Sequence, residues 1–257
     1  MKVAQFAEPL VAPTPANDLR HRPSQQFYAN EFLSAITHEL KTPLNAILGF
    51  TNILQEEILN PQSQKECLNY ADEILQVALD MNELIHDLLD VTQILSGNFS
   101  VDLSKEINIA DAIKRSARLN HDYSLARGVS IKTEISDNVG LINLDAKRMK
   151  QVLSNLISNA IKYSHCGSEI KIICKKTYDN FLEISVSDQG FGMTPEQAEV
   201  AFQKYQTIPN PNSGVVDSFG LGLPITKHLV ELQGGTIEVK SKISHGTEMK
   251  LRFPFSR

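Results

Sequence analysis

The stretch FLSAITHELKTPLNAILGF, residues 32–50, decides how the first third of the chain is read. Its apolar residues Leu33, Ile36, Leu40, Leu44 and Ile47 recur at three- and four-residue steps, the spacing of one face of an α-helix. With Leu33 at the origin of a helical wheel and ~100° per residue, the other four fall within about 60° of it. His38 falls near ~140°, on the opposite side. An imidazole placed there faces water, and the unperturbed pKa of ~6.5 leaves a neutral ring nitrogen available as a nucleophile. Glu39 is adjacent and able to orient the ring and accept its proton, while Thr42 lies one turn on along the same exposed face, flanked by Asn45. Pro43 removes one backbone donor and predicts a local kink without ending the helix.

Outward from this stretch, the helical pattern extends over residues 28 to about 59 and breaks at Asn60-Pro61. Ser63 followed by Glu66 reads as a capping box that opens a second helix, which runs to Ser96-Gly97. Its stripe of Leu68, Ala71, Leu75, Ala78, Ile85, Leu88, Thr92 and Leu95 keeps near-heptad spacing, with Asn82 as the polar exception. Two long helices joined by a short loop form an antiparallel hairpin. Each helix then has a single neighbour, so the hairpin cannot enclose its own apolar stripes; pairing two copies into a four-helix bundle would. A homodimer is the expectation.

The rest of the chain sets the wider bounds. At 257 residues with 42% hydrophobic and 21% charged residues, there is material for one large domain or two modest ones, and disorder throughout is excluded. Residues 1–24, with Pro9, Pro13, Pro15 and Pro23 among small and polar residues, read as a loose leader, too short to fold as a sensor. A formal charge of -5 and the lack of any Lys/Arg run argue against binding nucleic acid by phosphate neutralisation. No run approaches the ~20 apolar residues that span a bilayer, and no signal peptide is recognisable, so a cytoplasmic location is expected. Cys67, Cys166 and Cys174 lack metal-ligand or CxxC spacing and are expected to be reduced and mostly buried. The other histidines, His21, His86, His121, His165, His228 and His245, have no chemical context and read as solvated surface residues.

Beyond about Lys105 the pattern changes to alternating helices and short strands, marking a second domain over residues 104–257 after a hairpin domain over residues 25–100. Strand-type runs fall at 129–135, 141–144, 170–176, 182–186, 236–239 and 248–253, two of them joined as a hairpin through Tyr178-Asp179-Asn180. Helical patterns fall at 109 to about 125, 146–163, 195 to about 203, and 224–232. Helices on one face of a mixed sheet predict a two-layer α/β sandwich.

Three segments of this domain carry chemistry. Asn155 and Asn159 are four apart on one helical face, with Lys162 three residues further on. A carboxamide oxygen suits Mg²⁺, and an ammonium suits phosphate. Asp188-Gln189-Gly190-Phe191-Gly192 follows a strand; an aspartate there can accept the exocyclic amine of adenine, and glycines let the backbone approach the base. Gly220-Leu221-Gly222-Leu223 precedes a helix with Pro224 in its first turn, and amides at a helix N-terminus suit an anion. There is no GxxxxGK[ST] loop.

Residues 32–50 resemble the phosphoacceptor signature of bacterial sensor histidine kinases, and His38 to Leu44 match its His-Glu-Leu-Lys/Arg-Thr/Asn-Pro-Leu core throughout. The three later segments, in their order, resemble the nucleotide fold shared by histidine kinases with gyrase-type, heat-shock chaperone and mismatch-repair ATPases, the Bergerat-type fold. The resemblance covers residues 28–255, including the late Gly234-Gly235 and Gly246-Thr247 turns, and the wording GLGLPITKHLVELQGG leans toward the alphaproteobacterial PleC/DivJ type.

The resemblance implies that His38 accepts the γ-phosphate of ATP, that Glu39 assists as base, and that Thr42 positions water for dephosphorylating a partner. It implies that Asn159 binds Mg²⁺ with Asn155 assisting, Lys162 contacts phosphate, Tyr163 packs on the nucleoside, and Asp188 reads adenine. Gly190 and Gly192 would shape the adenine pocket, Gly220 and Gly222 would receive the phosphates, and residues 203–219 would form a mobile lid. Two lid positions depart from the family pattern: Ser218 replaces a glycine, and Thr207 stands where many members carry an arginine, with Lys204 nearby as a substitute charge. The implied partner is a response-regulator receiver domain, which this sequence does not contain. The input signal is not legible, whether from a separate sensor protein or through the bundle itself. The competing expectation is an ATP-inactive dimeric scaffold that docks a receiver. An ATP-gated protein of the chaperone type is disfavoured by the His38 helix.

Overall fold

A computed structural model describes residues 25–57, 64–96, 99–203 and 220–255. Its elements, in chain order, are α1 (Gln25–Glu57), α2 (Gln64–Leu95), β1 (Glu106–Asn108), α3 (Ile109–Leu119), α4 (His121–Ala126), β2 (Ser130–Ile135) and β3 (Leu141–Asn143). They continue with α5 (Ala146–Tyr163), β4 (Glu169–Lys176), β5 (Phe181–Ser187), α6 (Pro195–Val200), α7 (Gly222–Leu232), β6 (Thr236–Lys242) and β7 (Gly246–Pro254). The chain divides into two compact units, Met1–Leu79 and Asp80–Arg257.

In the first unit α1 runs unbroken through Pro43. Phe50 of α1 stacks on Tyr70 of α2 with ring centroids 6.1 Å apart, and the Thr51 hydroxyl bonds back to the Ile47 carbonyl. Leu44 and Leu48 of α1, and Leu68, Leu75 and Leu79 of α2, are exposed, each by 45% or more. Leu44, Leu68 and Leu75 belong to the apolar stripes expected to be left open by a single hairpin, whereas Leu40, Ile47 and Leu88 of those stripes are half-buried. Ser63, the expected cap of α2, lies outside the described residues.

The second unit is built on a five-stranded sheet of order β2-β4-β5-β7-β6, in which β2 and β4 are parallel and the other neighbours antiparallel. One face is apolar: Ile170, Ile172 and Cys174 of β4, Leu182 and Ile184 of β5, and Leu251 and Phe253 of β7 are all fully buried. They meet the buried stripe of α5, which includes Met149, Val152, Leu153, Leu156, Ile157 and Ile161, with α3 and α7 on either side of that helix. Each such aliphatic side chain contributes about 1.5–3 kcal/mol by leaving water, so this layer is self-sufficient. The alternate residues face outward and pair across strands, Lys171 with Glu134 at 2.8 Å and Lys175 with Glu183 at 3.1 Å. The β4–β5 turn passes through Asn180 at φ +63° and is tied by the Thr177 hydroxyl, which accepts the Phe181 amide at 3.2 Å.

Several expectations need correction. The single helix expected over 109–125 is two helices, because Asn120 ends α3, donating its side-chain amide to the Ser116 carbonyl at 2.9 Å, and restarts the chain as the N-cap of α4. The short strand β1, paired with β3, was not foreseen: Ile107 is its one apolar residue, between Glu106 and Asn108, where β3 announces itself with Leu141-Ile142. The cysteines are free, but only Cys174 is buried; Cys67 is half-buried and Cys166 exposed. Burial raises the Cys174 thiol to about 12, so it stays an inert thiol. His228 is half-buried with its ring edge-on to Phe99 rather than solvated.

The C-terminal part of α2 packs within the second unit, where Leu84 and Val91 are buried. Asp90, also buried, accepts from Arg148 at 3.2 Å and from the Gln151 side chain at 2.5 Å, both on α5. The Arg148 guanidinium lies over the Phe99 ring at 4.1 Å. This cluster holds the end of α2 against the first turns of α5, whose Asp145 cap takes the Lys147 and Arg148 amides.

Candidate nucleotide-binding site

α5 carries the asparagine pair. The four-residue spacing stacks the two side chains, and Asn159 donates from Nδ2 to Asn155 Oδ1 at 3.1 Å. Asn155 in turn donates from its own Nδ2 to the Thr226 hydroxyl of α7 at 2.6 Å. Both amide N–H groups are thereby oriented, and the Asn159 carbonyl oxygen takes no hydrogen bond among the described residues. Gly222 opens α7 directly against this pair: a Cβ on it would sit 2.7 Å from Asn155 Oδ1 and would push that carboxamide out of its place. Among the described residues no side chain caps α7 at its N-cap Leu221, which leaves first-turn amides for an anion. Gly220 precedes this turn at φ +61°. At the other end of α5, Lys162 and Tyr163 are half-buried, with the ammonium 5.7 Å from the ring centroid.

Asp188 stands immediately past the end of β5. Its Oδ1 accepts the Gly190 amide at 2.9 Å and the Thr247 amide at 3.1 Å, while Oδ2 takes no hydrogen bond among the described residues. Burial raises the carboxyl above its ordinary value, opposed by those two amides and by the nearby charge of His165. One oxygen is thus fixed and the other is open to an external donor. The glycines that follow are sterically required. A Cβ on Gly190 would lie 1.8 Å from the Tyr163 carbonyl oxygen, and one on Gly192, at φ +66°, would lie 2.0 Å from that of Lys242. The Phe191 amide donates to the Tyr163 carbonyl at 3.2 Å, and the Met193 amide to the Ser241 hydroxyl at 2.8 Å. The loop is therefore clamped between the C-terminus of α5 and the β6–β7 hairpin.

The fold brings Asn155, Asn159, Tyr163, Asp188, Gly190, Gly192 and Gly222 onto one connected framework around α5. Thr226, Thr247 and Ser241 join it without having been singled out as site residues. The Gly246-Thr247 turn was visible in the sequence, but nothing there places its amide on Asp188, and a threonine four residues after Gly222 carries no signal at all. His38 and Glu39 lie on α1 with side chains outside the described residues, and Thr42 is exposed on the same helix. Lys204, Thr207 and Ser218, with the rest of the expected lid after Gln203, lie outside the described residues.

Two family models match this chain: the His Kinase A (phospho-acceptor) domain over residues 28–97, and the histidine kinase-, DNA gyrase B- and HSP90-like ATPase over residues 144–257. The chain carries the phospho-acceptor and ATPase domains of a histidine kinase. Among curated relatives, an uncharacterised sensor-like histidine kinase of Rhizobium meliloti is 30% identical over 91% of this chain and 44% of its own length. Histidine protein kinase DivJ of Caulobacter vibrioides is 30% identical over 87% of this chain and 37% of its own. The chain thus spans less than half the length of these histidine kinases. Among solved structures, Acinetobacter baumannii histidine kinase AdeS shares the fold with a TM-score of 0.64 at 18% identity, covering 86% of this chain and 98% of that one. Histidine kinase ThkA, solved in complex with the response regulator protein TrrA, does so with a TM-score of 0.63 at 22% identity, covering 90% and 63%. Both are histidine kinases built as this chain is, a helical region followed by a helix-covered sheet. No helix among the described residues is long and apolar enough to cross a membrane.

Proposed function

We propose that this histidine kinase phosphorylates itself on His38 with ATP and passes the phosphoryl group to an aspartate of a response-regulator receiver domain. The observation that carries the reading is the joint placement of an open Asp188 oxygen and an uncapped α7 N-terminus at opposite ends of the Asn155–Asn159 face. These are a base-reading acceptor and an anion site flanking one helix, α5, from the β5 end and from α7. Asp188 Oδ2 accepts the adenine amine, Gly190 and Gly192 let the backbone lie along the base, and Tyr163 packs on the nucleoside. Gly220, Gly222 and Lys162 meet the phosphates. The donor set suits Mg²⁺: the uncommitted Asn159 carbonyl oxygen is a hard ligand, Asn155 orients it, and no cluster of three His, Cys, Asp or Glu occurs among the described residues to compete. Magnesium bound with the triphosphate would neutralise charge on the transferring group.

His38 then attacks the γ-phosphorus in line, forming the N–P bond as the bond to the β-phosphate oxygen breaks and ADP leaves, with Glu39 orienting the ring and taking its proton. Receiver aspartate accepts the group in turn. Glu39 and Thr42 support a phosphatase reaction in which Thr42 positions the attacking water. The hairpin of residues 25–100 is the dimerising and phosphotransfer part, residues 104–257 the ATP-binding part, and the homodimeric four-helix bundle covers the exposed leucines of α1 and α2. A cytoplasmic location follows from the need for ATP.

Incubation with γ-labelled ATP and magnesium tests the proposal. Acid-labile, base-stable label that is lost in His38→Gln is the expected result. ATP binding without label would overturn the kinase reading, and absence of ATP binding would favour the receiver-docking scaffold.

A further inference from the structure

The turn that follows α5 touches the base-reading loop at a point no motif specifies. Ser164 ends the helix in an extended conformation, and His165 comes next, held by a tight turn in which the Ser168 amide and hydroxyl both donate to its carbonyl, at 3.1 and 2.6 Å. The His165 ring is exposed on one side, and on the other it meets the Phe191 ring edge-on with centroids 4.4 Å apart. Phe191 lies between Gly190 and Gly192, the two residues whose backbones are already pressed against Tyr163 and Lys242. A second tie runs between the same two loops: the Glu169 amide donates to the Gln189 side-chain oxygen at 3.5 Å.

We infer that His165 is a positioning residue for nucleotide binding, its imidazole bracing Phe191 so that the loop of residues 188–192 holds Asp188 and the two glycines where a nucleobase docks. Glycines at 190 and 192 are needed for close approach, but they also leave the loop backbone without side chains of its own to restrain it. Phe191 is the one large side chain between them, and an edge-on ring contact restrains it at reduced entropic cost, since the His165 backbone is already fixed by its turn. The brace acts on the base end of the nucleotide, remote from the asparagine pair and the α7 N-terminus. Its loss therefore weakens ATP and ADP alike and leaves the reaction of the bound nucleotide unchanged. The inference rests on the proposed ATP site, and the test below separates failure of the two.

The wild-type chain, His165→Ala and His165→Phe are titrated with ATP and with ADP in magnesium buffer, and autophosphorylation is measured against ATP concentration. His165→Ala is expected to weaken both nucleotides equally, by about 3- to 10-fold, and to raise KM by the same factor with kcat kept. His165→Phe, which retains a ring at this position without its charge, is expected to restore binding to within about two-fold of wild type. Thermal unfolding of His165→Ala within a few degrees of wild type would mark the effect as local. Unchanged affinity in His165→Ala would overturn the inference, as would an equal loss in His165→Phe or a loss confined to kcat. Absence of ATP binding by the wild type would instead overturn the proposed ATP site.

Discussion

The hairpin and the sheet unit handle the same kind of residue in opposite ways. Leucines of α5 such as Leu153 and Leu156 are buried by strands of their own chain, whereas Leu68 and Leu75 of α2, equally periodic in the sequence, are 62% and 59% exposed. Helical periodicity therefore states that an apolar face will be covered, and leaves open by what. The sheet supplies the cover locally for α5; for the hairpin the proposed homodimer would supply it. One region buries its apolar face within the chain, and the other leaves leucines exposed among the described residues.

This contrast can be broken from either side. The largest effect is expected in the closed core. Leu156→Ala should lower the stability of the sheet unit by about 2–5 kcal/mol through lost burial and a residual cavity, independently of protein concentration, as read by denaturant unfolding. The corresponding change on the open face should act only through association. Leu75→Glu is expected to weaken self-association by at least about 100-fold, seen by sedimentation, while the unfolding of the sheet unit stays where it was; about 3 kcal/mol is what desolvating a leucine side chain is worth. An unchanged oligomeric state would remove the argument from the exposed leucines.

Asp188→Asn sharpens the comparison at the site. The asparagine Oδ1 can still accept the Gly190 and Thr247 amides, but its NH₂ faces the adenine amine, and nucleotide binding should fall by about 10- to 100-fold, the worth of a hydrogen bond to a charged group. Stability should move the other way or not at all. Burial raises the Asp188 carboxyl, so its contribution to folding is fully present below the pKa of the unfolded chain and is lost as the pH rises through the folded value. At pH 7 the variant therefore unfolds no earlier than wild type by calorimetry. The same raised carboxyl makes ATP binding by the wild type weaken, on acidification, at a higher pH than an ordinary carboxylate would dictate, a limb that Asp188→Asn lacks. The smallest effect is expected where the end of α2 packs within the second unit. Arg148→Ala removes a half-buried partner of Asp90 and the cover of Phe99, and should cost about 1–3 kcal/mol in the sheet unit while leaving the association of the hairpin unaltered.

Much of the fold was legible because its elements are long or punctuated. The longer foreseen strands and the helix of residues 146–163 carry a period, β3 is marked by its apolar Leu141-Ile142, and the β4–β5 turn is announced by Asp179-Asn180. Elements without a local signal were missed: β1 carries one apolar residue, Ile107, between Glu106 and Asn108, and the break between α3 and α4 is made by Asn120 folding its side chain back on Ser116, a choice that no spacing encodes. At the site, the residue types of Asn155, Asn159, Asp188 and the glycines were visible as motifs. The reason for the glycines was not, since it lies in backbone carbonyls of Tyr163 and Lys242, distant in sequence. Thr226, Thr247 and His165 owe their places to the packing of α7, the β6–β7 hairpin and the turn after α5, and none has a pattern of its own.

What the sequence determined by itself is everything that repeats or punctuates: two apolar-striped helices, a mixed sheet under helices, and three polar segments in a fixed order. Such signals are local, carried by neighbours within a few residues, and they survive in a string. Tertiary structure alone decided which oxygen of Asp188 is free, which backbone each glycine must admit, and which ring leans on Phe191. Those are distances between segments that meet only after the chain has collapsed, and their energies depend on approach to within a fraction of an ångström.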